Sequence, residues 1–196
     1  MIINIALLRE KVNAYKQVLE NTLNYRKEWK DKTRQMIKNT LQTISEQTGL
    51  KASVTEKNNI ENLEAVILDL GRSSSGIAES FENTEVKRLM VKSNGSLIYQ
   101  QLFNGKIMVM MAGPHIEGYG EPKSPKSLQI IRPDEVTEQI IFRHVKDLLD
   151  DITEWEDYDD EDPKTKVPFQ PIGFRHTVQL AEGNGNKGEN SDRSKQ

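Results

Sequence analysis

The chain of 196 residues contains no cysteine. Disulfides, thiolate metal sites and cysteine nucleophiles are therefore excluded, and a reducing compartment suits the composition. No stretch approaches the roughly 18 apolar residues of a membrane span, and the apolar patch near the start is too short for a signal sequence. Hydrophobic residues make up 35% of the chain and aromatic residues 6%, which predicts a modest core. We therefore expect a cytoplasmic protein without membrane contact.

Glycine and proline are absent from residues 1–48. The segment is therefore predicted to be helical nearly throughout, with Gly49 as its C-terminal stop. A single helix of that length would extend about 70 Å at roughly 1.5 Å per residue. The rest of the chain would form a body only about 30–35 Å across. We expect the helix to project beyond its own domain and to require a partner.

Apolar residues at spacings of three and four run along this predicted helix. The first seam comprises Ile5, Leu8, Val12, Tyr15, Leu19 and Leu23, and the second seam comprises Ile37, Leu41 and Ile44. Between them the sequence is mostly charged, with Trp29 as the single large apolar residue. Both seams and Trp29 form the predicted association surface, with a solvated stretch in the middle. The alternative is a helical hairpin bent near Asn24, although no glycine or proline is present to make the turn.

Charge is distributed unevenly along the chain. Residues 1–48 carry nine basic and five acidic side chains, whereas residues 134–162 carry thirteen acidic and two basic ones. Two helices of opposite charge are expected to attract each other, within one chain or across a dimer. The apolar face of the second helix, Ile141–Trp155, is a candidate for packing against the first seam.

Three short apolar runs at 86–92, 96–103 and 106–112 are separated by Asn94-Gly95 and Asn104-Gly105. Asn-Gly tolerates the positive φ of a type I′ turn, so these runs predict a three-stranded antiparallel meander. The last run is apolar on both faces, which predicts that both are covered. Further strands are expected at 50–57, 63–71 and 128–132, with a hairpin loop at 72–76.

The fold class is predicted as α+β, with a long N-terminal helix, an antiparallel sheet of about five strands and a long C-terminal helix. The predicted organisation is a self-associating helix at 1–48 and a body at 50–158, with the sheet at 51–132 and the helix at 134–157. An extended arm at 159–180 and a disordered tail at 181–196 follow, because prolines and then polar residues dominate there.

One candidate ligand site lies in the glycine-rich segment 113–126. Alternate residues of an extended strand face the same way, so His115, Glu117 and Tyr119 would converge. An imidazole near a carboxylate suits acid–base chemistry or half of a metal site. The alternative interpretation is a plain glycine-rich connection whose polar groups satisfy its own backbone.

Other polar clusters carry less specific signals. His144, Asp147 and Asp151 share one face of the last predicted helix, which we expect to be solvated. Residues 72–76 lack the pattern of a phosphate-binding loop. Residues 154–162 lack the glycine and ligand spacing of a calcium loop. No catalytic residue, metal site or cofactor is therefore predicted.

The favoured function is a non-enzymatic interaction or scaffold protein that self-associates, with a dimer as the favoured state and a further protein partner of unknown identity. The alternative is a small-molecule-binding protein or enzyme that uses the His115–Tyr119 loop. A third interpretation is weak nucleic-acid binding by the basic stretch of the first helix, where Lys27, Lys30, Lys32, Arg34 and Lys38 lie close to Tyr25 and Trp29. The overall acidity of the chain weighs against it.

Overall fold

A single long helix opens the structure, which is a computed structural model that describes residues 5–80, 85, 87–119 and 122–157. Helix α1 (Ile5–Glu28) leads into a π-helical turn (Trp29–Thr33), and helix α2 (Arg34–Thr48) follows. Glu28 and Thr33 both have right-handed helical dihedral angles, so the axis is continuous and the predicted alternative of a hairpin is wrong. Gly49 ends the helix at φ +70°, as predicted.

Two antiparallel sheets follow the helix. Their strands are β1 (Ser53–Lys57), β2 (Ala65–Asp69), β3 (Arg72–Ser80), β4 (Lys87–Ser93), β5 (Ser96–Gln101), β6 (Ile107–Ala112), β7 (His115–Ile116) and β8 (Lys126–Ile131). The first sheet has five strands in the order β1-β2-β5-β6-β8, and the second has three in the order β3-β4-β7. A 3₁₀ turn (Pro133–Glu135) then leads to helix α3 (Glu138–Glu156). The predicted α+β class and five-stranded sheet are confirmed, whereas the predicted arm and tail lie outside the described residues.

The predicted meander is correct in its second half and wrong in its first. Strands β5 and β6 form a hairpin across Asn104-Gly105, with Gly105 at φ +78°. Strand β4 instead pairs with β3 in the second sheet. Because β2 pairs with β5 and β3 pairs with β4, the segments 65–80 and 87–101 form one long hairpin that bends between the two sheets.

Asn94 holds this bend in place. Its backbone N–H donates to the Gly71 carbonyl at 3.0 Å, and its side-chain Nδ2 donates to the Leu70 carbonyl at 3.1 Å. Gly95 follows at φ +102°. The Asn-Gly pair therefore makes a corner between sheets here, because the strands on either side of it find different partners.

The predicted hairpin loop at 72–76 is also wrong, because these residues begin strand β3. Gly76 lies at φ +74°, between Ser74 and Ala78, where the β3–β4 register shifts. A glycine at positive φ inside a strand is typical of a β-bulge. The serine-rich run therefore continues an exposed strand through a bulge.

The core lies between one face of the five-stranded sheet and helices α2 and α3. Alternate strand residues point inward, as the period of two requires. The fully buried strand residues are Val66, Leu68, Leu97, Tyr99, Gln101, Ile107 and Val109. Helix α3 presents Ile141, His144, Val145 and Leu148 to them. It begins later than its predicted start at 134, because Thr137 is its N-cap and accepts a hydrogen bond from the Ile140 N–H.

The outer face of the same sheet carries a second set of apolar side chains. Ile67 pairs across the strands with Ile98, and Ile98 pairs with Met110. All three are partly buried, and Ile130 beside Met108 is exposed. Within the described residues, the helices that pack against the core do so on the inner face. In the part of the chain that the structure describes, the prediction that both faces are covered is therefore met by helices on one face only.

Among the helices in the described part of the chain, none combines the length and apolar character needed to cross a membrane.

Candidate interaction surface

Helix α1 exposes the first seam along its whole length. Every residue from 5 to 20 is exposed, and α1 contributes no buried residue. The six side chains of the first seam retain between 44 and 64% of their accessible surface. Val18 lies on the same helix and is 58% exposed. A soluble surface seldom presents so many large apolar side chains in one row.

The second seam is used within the chain instead. Trp29, Ile37 and Leu41 are fully buried in the core, and Ile44 is partly buried against it. The predicted pattern of two packed ends around a solvated middle is therefore wrong. Burial in the core begins at the middle of the long helix. Charged residues surround Trp29 in the sequence and hide this signal. The π-helical turn places Trp29 and Thr33 together on the side of the helix that faces the core.

The base of α1 rests on the turn between β5 and β6. The position of a Cβ on Gly105 would be 2.8 Å from Tyr25 Cβ and 2.9 Å from the Thr22 carbonyl oxygen. Arg26 Nη2 donates to the Phe103 carbonyl at 2.6 Å. The body therefore holds α1 from Thr22 onward, and about 24 Å of helix, residues 5–20, extends beyond this contact at roughly 1.5 Å per residue.

Phe103 at the tip of this turn is 75% exposed. No motif in the sequence indicates a role for it. Its position beside Asn104-Gly105 indicates a turn tip, where a large aromatic residue gains no burial from the hairpin itself. Only the docking of the turn on α1 shows that the Phe103 backbone lies beside Arg26.

The predicted pairing of the first seam with Ile141–Trp155 does not occur within the chain. Helix α3 packs on α2 and on β5, and Ile141 and Leu148 belong to the core. At its C-terminal end, Glu156 forms an ion pair with Lys92, whose ammonium lies 5.8 Å from the centre of the Trp155 ring. Within one copy the two oppositely charged helices therefore meet through α2 and not through the first seam.

The three residues of the predicted ligand loop do not lie in one extended strand. His115 is in β7, opposite Ser93 of β4. The Tyr119 N–H donates to the Ile116 carbonyl at 3.1 Å, closing a tight turn with Gly118 at φ +79°. The assumption of alternating side chains therefore fails here.

Within this turn Glu117 is exposed and forms an ion pair with Arg72 at 2.9 Å. A ligand site at His115, Glu117 and Tyr119 stays a prediction, now without the extended geometry that suggested it.

His144 is buried, contrary to the expected solvated face. Its Nδ1 lies 3.0 Å from the Tyr99 hydroxyl, and desolvation by burial is the main reason that the pKa of His144 is lowered. Asp151 lies 3.8 Å from Lys126. In the described part of the chain, no group of three or more histidine, aspartate or glutamate side chains is placed to hold a metal ion.

The basic stretch of the long helix is largely engaged in ion pairs. Lys30 contacts Glu61 at 2.9 Å, and Lys38 contacts Glu56 at 2.8 Å. Trp29 is fully buried and therefore not available to stack on a base. Nucleic-acid binding stays a prediction. The ion pairs leave fewer basic side chains free to contact phosphates, and the burial of Trp29 removes one aromatic ring on which a base could stack.

An open groove of about 420 Å³ lies between α2 and α3. Its lining residues are Asn39, Thr40, Thr43, Ile44, Gln47, Glu138, Gln139 and Phe142. The volume is within the range of small-molecule sites, and the lining combines apolar surface with six polar side chains. The groove contains neither a nucleophile beside a base nor a metal-ligand set. It therefore indicates no reaction.

Comparison of the chain with protein-family models, with curated proteins and with solved structures gave no match.

Proposed function

We propose that this protein is a non-enzymatic interaction protein that self-associates through the first seam on α1. The observation that carries the proposal is the row of six large apolar side chains on a helix whose residues 5–20 are all exposed. The spacing of three and four is the spacing of helices that pack side by side. A second copy of the same chain supplies a helix with the same stripe.

The energetic balance favours a reversible dimer. Complete burial of an exposed Leu, Ile or Val side chain contributes roughly 1.5–3 kcal/mol, so a half-exposed side chain contributes about half of that. Six such side chains in each copy give a gross gain of roughly 9–18 kcal/mol. Association itself costs about 4–15 kcal/mol. The gain and the cost overlap in size, so we expect an association that reverses on dilution.

Charges beside the first seam modulate this balance. Arg9, Lys11 and Lys16 lie next to seam residues and are exposed. In a pair of identical helices they bring like charges near each other, at a cost of roughly 0.2–0.5 kcal/mol for each pair. Salt screens such repulsion, so the dimer is expected to tighten when sodium chloride is raised from 50 to 300 mM.

Sedimentation equilibrium of the full chain between 1 and 200 µM tests the proposal. The expected result is a monomer–dimer equilibrium in the wild type and a monomer in Leu8→Asp. Asn13→Asp is the matched control, because it adds the same charge to an exposed position away from the first seam. A wild-type chain that remains monomeric over the whole range contradicts the proposal.

A further inference from the structure

The outer face of the five-stranded sheet is a second apolar surface, separate from the first seam. Its large apolar side chains are Ile67, Ile98, Met108, Met110 and Ile130. Within the described residues, none of the five belongs to the core or to the apolar side chains packed against it. An antiparallel sheet with one solvated face usually carries polar side chains on that face. The outer face is therefore expected to pack against further apolar residues.

The described chain ends beside this face. The position of a Cβ on Gly95 would be 3.4 Å from Ile152 Cδ1 and 2.9 Å from the Ala112 carbonyl oxygen. The last turns of α3 therefore lie at the end of β6 that carries Ala112. Met110 is on the outer face of the same strand, two residues before Ala112. The chain beyond Asp157 consequently starts near the end of the sheet, from which the outer face can be reached.

Residues 163–180 have the sequence of an apolar segment with the period of an extended chain. Their large apolar residues form three pairs, each with a spacing of two: Val167 and Phe169, Ile172 and Phe174, and Val178 and Leu180. Residues two apart in an extended chain point the same way. Pro168 and Pro171 lack the N–H that a strand added to a sheet edge would donate. The pattern therefore favours packing across a face through side chains over pairing at an edge.

The length of the intervening chain permits this contact. Residues 158–166 span up to about 30 Å when extended. Packed layers of secondary structure lie about 10 Å apart, so nine residues can pass from the helix layer around the end of the sheet. A segment tethered so closely has an effective concentration of the order of millimolar. That concentration favours a segment of the same chain over a second copy at micromolar concentration.

We propose that residues 167–180 pack on the outer face of the five-stranded sheet of their own chain. Met108 and Met110 suit such a contact, because flexible thioether side chains adapt to the shape of a partner. The segment contains no acidic residue, so its burial removes no carboxylate from water. The groove between α2 and α3 is a poorer match, since six of its lining side chains are polar. The proposal is independent of self-association through the first seam.

Thiol labelling tests the proposal, because the natural chain contains no cysteine and an introduced thiol is unique. Full-length Met110→Cys is labelled with a maleimide at 1 µM, with and without the triple substitution Phe169→Ser, Ile172→Ser and Phe174→Ser. Removal of the three apolar side chains is expected to speed labelling at residue 110 at least tenfold. Leu89→Cys is the matched position, since Leu89 is 70% exposed in β4, outside the five-stranded sheet. Its labelling rate should not change.

A second triple substitution controls for the three added serines. Asn184→Ser, Asn186→Ser and Asn190→Ser change only polar residues beyond the segment and should leave labelling at residue 110 slow. Ile98→Cys repeats the measurement at the neighbouring position of the outer face, in case Met110→Cys disturbs the sheet. Circular dichroism of each variant shows that the fold is retained.

Two results would overturn the proposal. One is an equal labelling rate at residues 98 and 110 with and without the apolar side chains of the segment. The other is slow labelling that the serines leave unchanged but that dilution from 100 to 1 µM relieves, which assigns the outer face to a second copy. Leu8→Asp, which tests the first seam, should leave the labelling rate as it is. The proposed function and this proposal can therefore fail separately.

Discussion

The Tyr99 hydroxyl and His144 Nδ1 lie 3.0 Å apart inside the core, and they connect the five-stranded sheet to helix α3. The two rings are 5.8 Å apart between centroids and tilted by 53°. Burial raises the pKa of Tyr99, so its hydroxyl stays neutral across the physiological range. The two side chains form a neutral hydrogen bond in apolar surroundings. The stability of the fold is therefore expected to depend on the charge of His144 and on the presence of the Tyr99 hydroxyl.

Stability is expected to decrease in acid because of His144. Burial, followed by the positive charge of Arg143, lowers the pKa of His144, although Asp147 opposes the shift. The folded chain therefore keeps His144 neutral at a pH where the unfolded chain, with a histidine pKa of about 6.5, takes up a proton. The unfolded state binds more protons below about pH 6.5, so the free energy of unfolding falls there and is constant above about pH 7.5.

Urea unfolding between pH 5 and pH 8 measures this slope. His144→Gln should reduce the fall between pH 7 and pH 5. An unchanged slope in His144→Gln would assign the acid sensitivity to other groups.

Tyr99→Phe is expected to destabilise the fold by about 1–2 kcal/mol. The substitution keeps the ring and removes the hydroxyl, which leaves His144 Nδ1 buried without its partner; within the described residues, Nε2 also has no hydrogen-bond partner. Urea denaturation at pH 8 measures the difference, since His144 is then neutral in both states. Stability equal to that of the wild type would show that the hydrogen bond contributes nothing net.

Gly105→Ala should be more harmful than a glycine substitution at a similar φ elsewhere. Gly105 has φ +78°, and a Cβ there would approach Tyr25 Cβ to 2.8 Å. Gly76 has φ +74° with no atom within 4 Å of its Cβ position, so Gly76→Ala carries the backbone strain alone, roughly 1–2 kcal/mol. We expect Gly105→Ala to cost about 3 kcal/mol or more, with loosening of the contact between α1 and the turn.

Thermal unfolding of the two variants gives the comparison, and protease cleavage within α1 reports the loosened contact. Equal losses in Gly76→Ala and Gly105→Ala would argue against tight docking of the turn.

Trp29→Ala is expected to destabilise the fold by about 3–5 kcal/mol, the usual range for loss of a buried large aromatic side chain. Trp29 is fully buried although charged residues surround it in the sequence. Ile60→Ala is the comparison, because Ile60 is 62% exposed and should change stability by no more than about 0.5 kcal/mol. Denaturant unfolding followed by circular dichroism measures both. Similar small effects would place Trp29 outside the core.

Local patterns were enough to predict most elements of the fold. The glycine- and proline-free run predicts a helix, Gly49 ends it, and short apolar runs bounded by glycine predict β2, β5 and β6. These signals are local, because helix and strand periodicities depend on neighbours within a few residues. The α+β class follows from their order along the chain.

Strand partners were not predictable in the same way. Asn94-Gly95 and Asn104-Gly105 have the same composition, yet one makes a corner between sheets and the other a hairpin turn. The difference arises because β4 pairs with β3, a contact that no local pattern encodes. The serine-rich start of β3 likewise becomes a strand only through that pairing.

The sequence by itself determined that a long helix bears apolar residues at helical spacing. The tertiary structure alone decided which of them are covered. The sheet and α3 bury Trp29, Ile37 and Leu41, because the π-helical turn directs the second half of the helix toward the core. The first seam remains exposed because residues 5–20 extend beyond the contact with the β5–β6 turn, and the turn contacts Thr22 and Tyr25 rather than Leu23. Burial is a property of the whole packed chain, so spacing can mark a stripe as apolar but cannot determine what covers it.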